Sequence, residues 1–172
     1  MTESKEPRPG MNRFQSLSGV AHLAMVMAVI LAACSGTVVP VDGRTRAEVV
    51  NIIDGDTIDV SIGGQTYRLR YIGLDAPERD EPWGSEATAA NAQLVAGQTV
   101  YLETDVSETD RYDRLLRYVY LADGTFVNAE LVRLGWATAK AYPPDTKHQG
   151  LLAAREQEAR QAQRGIWAAT SR

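Results

Sequence analysis

A chain of 172 residues has room for one ordinary domain and an appendage, and a composition that is 44% hydrophobic and 23% charged is that of a chain able to pack a core. A formal net charge of −4 argues against a protein that coats nucleic acid in bulk, which needs an excess of Lys and Arg. One Cys (Cys34) and two His (His22 and His148) exclude a disulfide framework and leave too few ligands for an ordinary zinc site.

Taken in chain order, the first feature is the run 20–33, apolar except for His22 and closed by Leu31, Ala32 and Ala33 before Cys34. A bilayer span needs about 17–25 residues, so this run is too short to cross; a short apolar run closed by small residues reads as a secretion signal. The ending Leu-Ala-Ala-Cys resembles the bacterial lipobox. That resemblance implies cleavage before Cys34, a lipid on its thiol, and a protein anchored to a membrane of the cell envelope with its domain outside the cytoplasm. A buried helix with an ordinary Cys is the alternative, and it leaves the position and ending of the run unexplained. Met11, followed by Arg13, is a more ordinary start for a signal than residues 1–10, so the start is Met1 or Met11. Loss of residues 1–33 leaves 15 basic and 20 acidic residues, a net charge of −5. Residues 34–46 then read as a linker, and 47–168 as the folded domain.

The domain begins with strand signals. Residues 47–53 are mostly apolar and run into Asp54-Gly55-Asp56, which is turn chemistry. Ile58, Val60 and Ile62 alternate with polar residues, as do Tyr67, Leu69 and Tyr71, and Gly63-Gly64 between them makes a two-residue hairpin loop. Residues 84–97 read as a helix with Ala87, Ala90 and Leu94 on one face and Gly97 just past its end. Two further strands are expected at 99–103 and 116–121. Val127, Leu131 and Leu134 form a second helical stripe ending at Gly135, and Asp145-Thr146 is placed to cap a third helix over 147–163 with Glu156 and Arg160 in i,i+4 order. Five strands and about three helices predict an α+β, mainly β, fold. A small closed barrel of the OB type is the architecture that removes the sheet edges.

Three segments carry residues suited to chemistry. Asp54-Gly55-Asp56-Thr57 brackets a Gly with carboxylates that can hold a hard cation, or forms an ordinary Asx turn; an EF-hand is excluded, because Asp59 and Gln65 stand where it needs Gly and Glu. Arg70 to Glu78 carries an arginine on the polar face of a strand, then Asp75 and Glu78, with Pro77 pushing Ala76 into an extended conformation that turns its carbonyl outward. The alternative there is a solvated face with a surface ion pair. Asp110-Arg111-Tyr112-Asp113-Arg114 is a charged loop entering a strand, unremarkable by itself.

Together, in this order and spacing, these segments resemble the staphylococcal nuclease (thermonuclease-like) family. The resemblance runs over residues 47–167 and extends to Asn128-Ala-Glu-Leu-Val132, Tyr142-Pro-Pro and Gly165-Ile-Trp167. It implies an OB-type barrel acting as a calcium-dependent phosphodiesterase on DNA and RNA, and a monomer is expected. By the same resemblance the metal ligands are the Asp56 and Asp75 side chains and the main-chain carbonyl of Ala76, with Asp54 behind them. The catalytic positions match Arg70, Glu78 and Arg114, and Tyr112 and Tyr142 match positions that line the nucleotide pocket. The roles are physically apt. Arginine donates two hydrogen bonds to phosphate and stays charged, and a carboxylate is the class of base available where His and thiol are scarce.

Two departures from the family pattern stand out. Asp113 occupies a position usually held by Gly, beside Arg114, where it could pair with that arginine or repel substrate. Lys140 stands near where a second pocket aromatic is expected. With the acidic stretch 103–110 and the net charge of −5, local positive potential has to come from Arg68, Arg70, Arg111, Arg114 and Arg117, and activity is expected to be weaker and more salt-sensitive than in a basic relative. A catalytically silent OB-type module that holds nucleic acid or a protein at the cell surface is the alternative reading.

Overall fold

A computed structural model describes residues 43–168. The signal segment, Cys34 and the linker up to residue 42 lie outside the described residues. Strand β1 (Thr45–Ile52) is followed by β2 (Thr57–Ile62), β3 (Gln65–Tyr71), a two-residue β4 (Leu74–Asp75), helix α1 (Gly84–Val95), β5 (Thr99–Glu103), β6 (Leu115–Leu121), helix α2 (Val127–Arg133), a two-residue β7 (Thr138–Ala139) and helix α3 (Gln149–Gln161), with a short 3-10 turn at Gly165–Trp167.

The five longer strands close into a barrel in the order β1-β2-β3-β6-β5, with β5 returning to β1. All pairings are antiparallel except β3 with β6. The expected OB-type α+β barrel is therefore what forms, with three helices packed on it. The β2–β3 hairpin turns on Gly63 and Gly64 with φ of 60° and 87°, the paired positive angles that a two-residue loop of this hand requires. Closure follows from alternation: Ala47, Val49, Ile58, Val60, Leu69, Tyr71, Val100, Leu102 and Val119 all point into one buried core.

The strand boundaries differ slightly from the sequence reading. Thr45 and Arg46, expected in the linker, pair with Leu102 and Tyr101 as the start of β1. Polar side chains on a barrel's outer face do not prevent pairing, because the backbone makes the bonds. Helices α1 and α2 end as expected, with Gly97 and Gly135 just past their C-caps at φ 68° and 79°.

Helix α3 begins differently. Asp145 does not cap it; its carboxylate is buried and accepts the Val106 and Ser107 backbone N–H groups at 3.0 and 2.7 Å, tying the β5–β6 loop to the segment before α3. His148 stands at the N-cap position without a side-chain capping bond. The Glu156–Arg160 pair does form, at 2.6 Å.

Two features set the site. Asn128, fully buried on α2, accepts the Val119 N–H and donates to the Ile72 carbonyl, both at 2.9 Å, so it stitches β6 to the end of β3. The small β4–β7 ladder sets Thr138 opposite Asp75 and Ala139 opposite Leu74.

Candidate active site

The β1–β2 bend presents the first carboxylate. Asp54 Oδ1 accepts the Asp56 N–H at 3.0 Å, so Asp54 does make the Asx turn, and in doing so it aims Asp56 inward. A Cβ on Gly55 would lie 2.6 Å from Ala76 Cβ and 2.9 Å from Ala87 Cβ, so only Gly lets this bend sit against the following loop and α1. Behind it, buried Asn91 on α1 donates to the Asp54 carbonyl at 2.8 Å and accepts the Tyr71 hydroxyl at 2.9 Å.

Asp56 is 1% exposed. Its Oδ2 accepts the Ala76 N–H at 2.9 Å, and its Oδ1 takes the Thr57 hydroxyl at 3.0 Å and Arg70 Nη1 at 2.5 Å. Burial pushes its pKa up to about 7, against the opposing pull of Arg70 and the Ala76 N–H. Asp75, at the end of β4, receives Arg70 Nη2 on Oδ1 at 2.7 Å, Lys140 Nζ on Oδ2 at 2.8 Å, and the Tyr142 hydroxyl at 3.4 Å. Arg70 thus forks across both carboxylates. Arg70 brings the Asp56 and Asp75 carboxylates together beside Ala76, whose N–H Asp56 accepts, and carboxylate oxygens are donors of the kind a hard divalent cation takes. The cost of burying Asp56 is one that such a cation would relieve. Among the described residues no three His, Cys, Asp or Glu side chains form a closed metal cage, so a cation here would keep water in its shell.

Arg70, Glu78 and Arg114, distant in the chain, line one cleft of 430 Å³ together with Tyr112 and Tyr142. Arg70 comes from the end of β3, Glu78 from the loop before α1, Arg114 from the loop before β6. The Glu78 loop is tight: its N–H is held by Glu81 Oε2 at 3.0 Å, its carbonyl accepts the Glu81 N–H at 2.9 Å, and a Cβ on Gly84 would run into that carbonyl. Among the described residues nothing hydrogen-bonds the Glu78 carboxylate, which leaves it available to a water or substrate in the cleft. Arg114 is held by Asp110 through Nε at 2.7 Å and Nη2 at 2.6 Å, and stands over the Tyr112 ring at 5.6 Å.

The departures from the family pattern resolve on geometry. Asp113 does not pair with Arg114; it sits exposed at φ 60°, the left-handed conformation that Gly adopts without strain and Asp tolerates. Lys140 offers no ring to stack on; its ammonium pairs with Asp75 at 2.8 Å and lies 5.3 Å from the Tyr142 ring. Of the arginines expected to supply positive potential, Arg70 and Arg114 line the cleft and Arg111 stands over the Tyr112 ring at 4.7 Å, whereas Arg68 pairs with Asp59 at 2.9 Å and Arg117 is buried against Glu108. Sequence reasoning passed over Asn91 and Asp110 as working residues. A lone Asn inside an apolar helical face is a signal that could have drawn attention to Asn91.

A small closed barrel that gathers two arginines and a free carboxylate at one cleft, with a carboxylate pair behind one of the arginines, defines a protein built to handle a phosphate ester. The chain belongs to the staphylococcal nuclease family: the family described as staphylococcal nuclease homologue matches residues 68–169. It is 39% identical over 125 residues to a thermonuclease of Staphylococcus intermedius, covering 69% of this chain and 74% of that protein. It is 37% identical over 161 residues to a micrococcal nuclease of Shigella flexneri, covering 87% of each. An uncharacterized endonuclease of Escherichia coli is 39% identical over 123 residues, 71% of this chain and 76% of its own length.

Proposed function

We propose that this hydrolase of nucleic acids cleaves DNA and RNA phosphodiesters with calcium held at Asp56, Asp75 and the Ala76 carbonyl, and with Arg70, Glu78 and Arg114 as its catalytic groups. The observation that carries the reading is the convergence of those three side chains on one cleft beside the Asp56–Asp75 pair.

A phosphodiester seated in the cleft meets arginine forks on two sides. Hydrolysis by water builds negative charge on the non-bridging oxygens, and Arg70 and Arg114 donate to it while remaining protonated. Neither must be imported on binding, since Asp110 holds Arg114 and the two aspartates hold Arg70. Glu78, unengaged and on the cleft, takes a proton from the attacking water as one P–O ester bond breaks, and the departing oxygen takes a proton from solvent to leave as an alcohol. Tyr112 and Tyr142 offer exposed ring faces to the base and sugar of the substrate. When bound, calcium supplies further positive charge to a phosphate oxygen. Asp54 and Asn91 keep the bend that carries Asp56 in place.

The same reading sets the protein at a membrane of the cell envelope through a lipid on Cys34, supported by the Leu-Ala-Ala-Cys ending of a short apolar run. Calcium is available at millimolar concentration in such a compartment, enough to fill a site with Kd of about 10⁻⁴–10⁻³ M. Radiolabelled acyl lipid incorporated by wild type and lost in Cys34→Ser tests the anchor.

The test of the chemistry is cleavage of single-stranded DNA and RNA by the purified chain, with calcium or with chelator, beside Glu78→Gln. Cleavage that needs calcium and collapses in Glu78→Gln is expected. A folded chain that binds calcium and nucleic acid yet cleaves nothing would make it a binding module instead.

A further inference from the structure

Both carboxylate oxygens of Asp75 already carry a cation. Arg70 Nη2 on Oδ1 belongs to the fork that also holds Asp56. Lys140 Nζ on Oδ2, at 2.8 Å, comes from a different part of the fold and from outside the three catalytic candidates. Its placement is built into the backbone. The β4–β7 ladder sets Thr138 opposite Asp75, and the Lys140 N–H donates to the Gly73 carbonyl at 2.9 Å, which extends the pairing by one residue. Side chains two apart on a strand share a face, so Lys140 is the diagonal neighbour of Asp75. The Tyr142 ring, 5.3 Å from Nζ, flanks the ammonium on its other side.

We propose that Lys140 is a tethered competitor for the cation at this site: it occupies Asp75 Oδ2 as a calcium ion would, and the cost of displacing it lowers the affinity of the site for calcium. The inference rests on the assignment of Asp56 and Asp75 as calcium ligands made above. An ion that takes Asp75 Oδ2 as a ligand has to displace the Lys140 ammonium from it, and then lies close to that ammonium unless the side chain swings away. The swing is open to it, because the lysine side chain is 50% exposed and stands on a flexible four-carbon stem. The competition is therefore reversible, and it weakens the site without closing it. Removing the ammonium deletes both the bond to be broken and the like charge, which together are worth on the order of tenfold in affinity for a half-exposed pair.

The test is a calorimetric calcium titration of the purified full chain, without substrate, for wild type, Lys140→Met, Lys140→Gln and Lys147→Met. Lys147 pairs with Glu103 at 2.8 Å, in a cluster that does not include Asp56 or Asp75. Its variant therefore removes the same charge while leaving Asp75 engaged. Both Lys140 variants are expected to bind calcium on the order of tenfold more tightly, with Lys147→Met within about twofold of wild type. Unchanged or weaker binding in the Lys140 variants overturns the proposal. Equal tightening in Lys147→Met also overturns it, since net charge alone then explains the effect, and so does an absence of calcium binding in all four proteins. Thermal melts in chelator establish that each variant folds, and either Lys140 variant suffices if the other does not. Parallel cleavage assays keep the two readings apart: calcium-dependent cleavage by wild type leaves the nuclease assignment standing even where Lys140 has no effect on binding.

Discussion

Asp110 closes on Arg114 from both main chain and side chain. Its Oδ1 accepts the Tyr112 and Arg114 backbone N–H groups at 2.9 and 3.1 Å, while Oδ2 receives Arg114 Nε at 2.7 Å. Burial pushes the Asp110 pKa up, but the Arg114 side chain and the two N–H groups outweigh it and hold the carboxyl below its ordinary value. One residue therefore shapes the turn and aims a candidate catalytic arginine. Asp110→Asn keeps an acceptor for the N–H groups and loses the charged partner of the guanidinium. The fold should persist, and kcat/KM should fall on the order of tenfold, against about 10²–10³ for Arg114→Ala. Steady-state cleavage kinetics decide it; wild-type activity in Asp110→Asn would show that Arg114 needs no such support.

Asp113, three residues on, holds a left-handed conformation that Asp tolerates less easily than Gly. Its φ of 60° costs a residue with a Cβ more than it costs Gly, least so for Asp and Asn, and its backbone N–H is committed to the Asp110 carbonyl at 3.1 Å. Asp113→Gly removes the strain, partly offset by the greater freedom of Gly in the unfolded chain. A net gain of about 0.5–1 kcal/mol is expected, read as a higher urea midpoint, with kcat little changed. A lower midpoint would mean that the Asp113 side chain contributes an interaction of its own.

Glu103 ties β5 to the start of α3. Its Oε1 meets Lys147 Nζ at 2.8 Å and His148 Nε2 at 2.9 Å, and Arg44 reaches Oε2 at 3.4 Å. Partial burial pushes the carboxyl up, but the bonds from Lys147 and His148 prevail and lower its pKa from 4.5 to about 2. A folded-state value below the unfolded one means that the unfolded chain binds more protons between those limits. The contribution of Glu103 is thus complete above pH 4.5 and is lost as pH falls toward 2. Glu103→Gln should be less stable than wild type at neutral pH, with the gap narrowing at about pH 3, as read from urea midpoints at the two values. A gap that stays constant across that window would remove Glu103 as its source.

The barrel was legible because its strands alternate: Ile58 and Val60, then Leu69 and Tyr71, mark two inward faces that a period of two exposes, and Gly63-Gly64 marks the turn between them. The ends were not, since Thr45 and Arg46 are polar and their pairing is set by partners in β5 that lie more than fifty residues away. The β4–β7 ladder, with two residues in each strand, is too short to leave any periodic trace. Asp145 was misread because an Asp before a helix looks like a cap, whereas its bonds run to Val106 and Ser107, a distance in sequence that no local rule reaches. Arg70, Glu78 and Arg114 could be picked out by likeness to a family, but their meeting in one cleft depends on barrel closure. The Lys140–Asp75 pair depends on the short ladder and was hidden for that reason.

Asn91 provides a further test, since it joins the core to the candidate metal site. It is fully buried, its Nδ2 donates to the Asp54 carbonyl at 2.8 Å and its Oδ1 accepts from the Tyr71 hydroxyl, itself buried, at 2.9 Å. Asn91→Leu fills similar space but strips both groups of their partner in a setting where water cannot replace it. The cost should be about 2–4 kcal/mol of stability, measured by urea unfolding in chelator. Because the lost bond anchors the bend that carries Asp56, calcium affinity should fall as well, whereas a purely structural lesion elsewhere in the core would lower stability alone. Stability lost with calcium affinity intact would place the anchor of the bend in the packing of Gly55 against Ala76 and Ala87 instead.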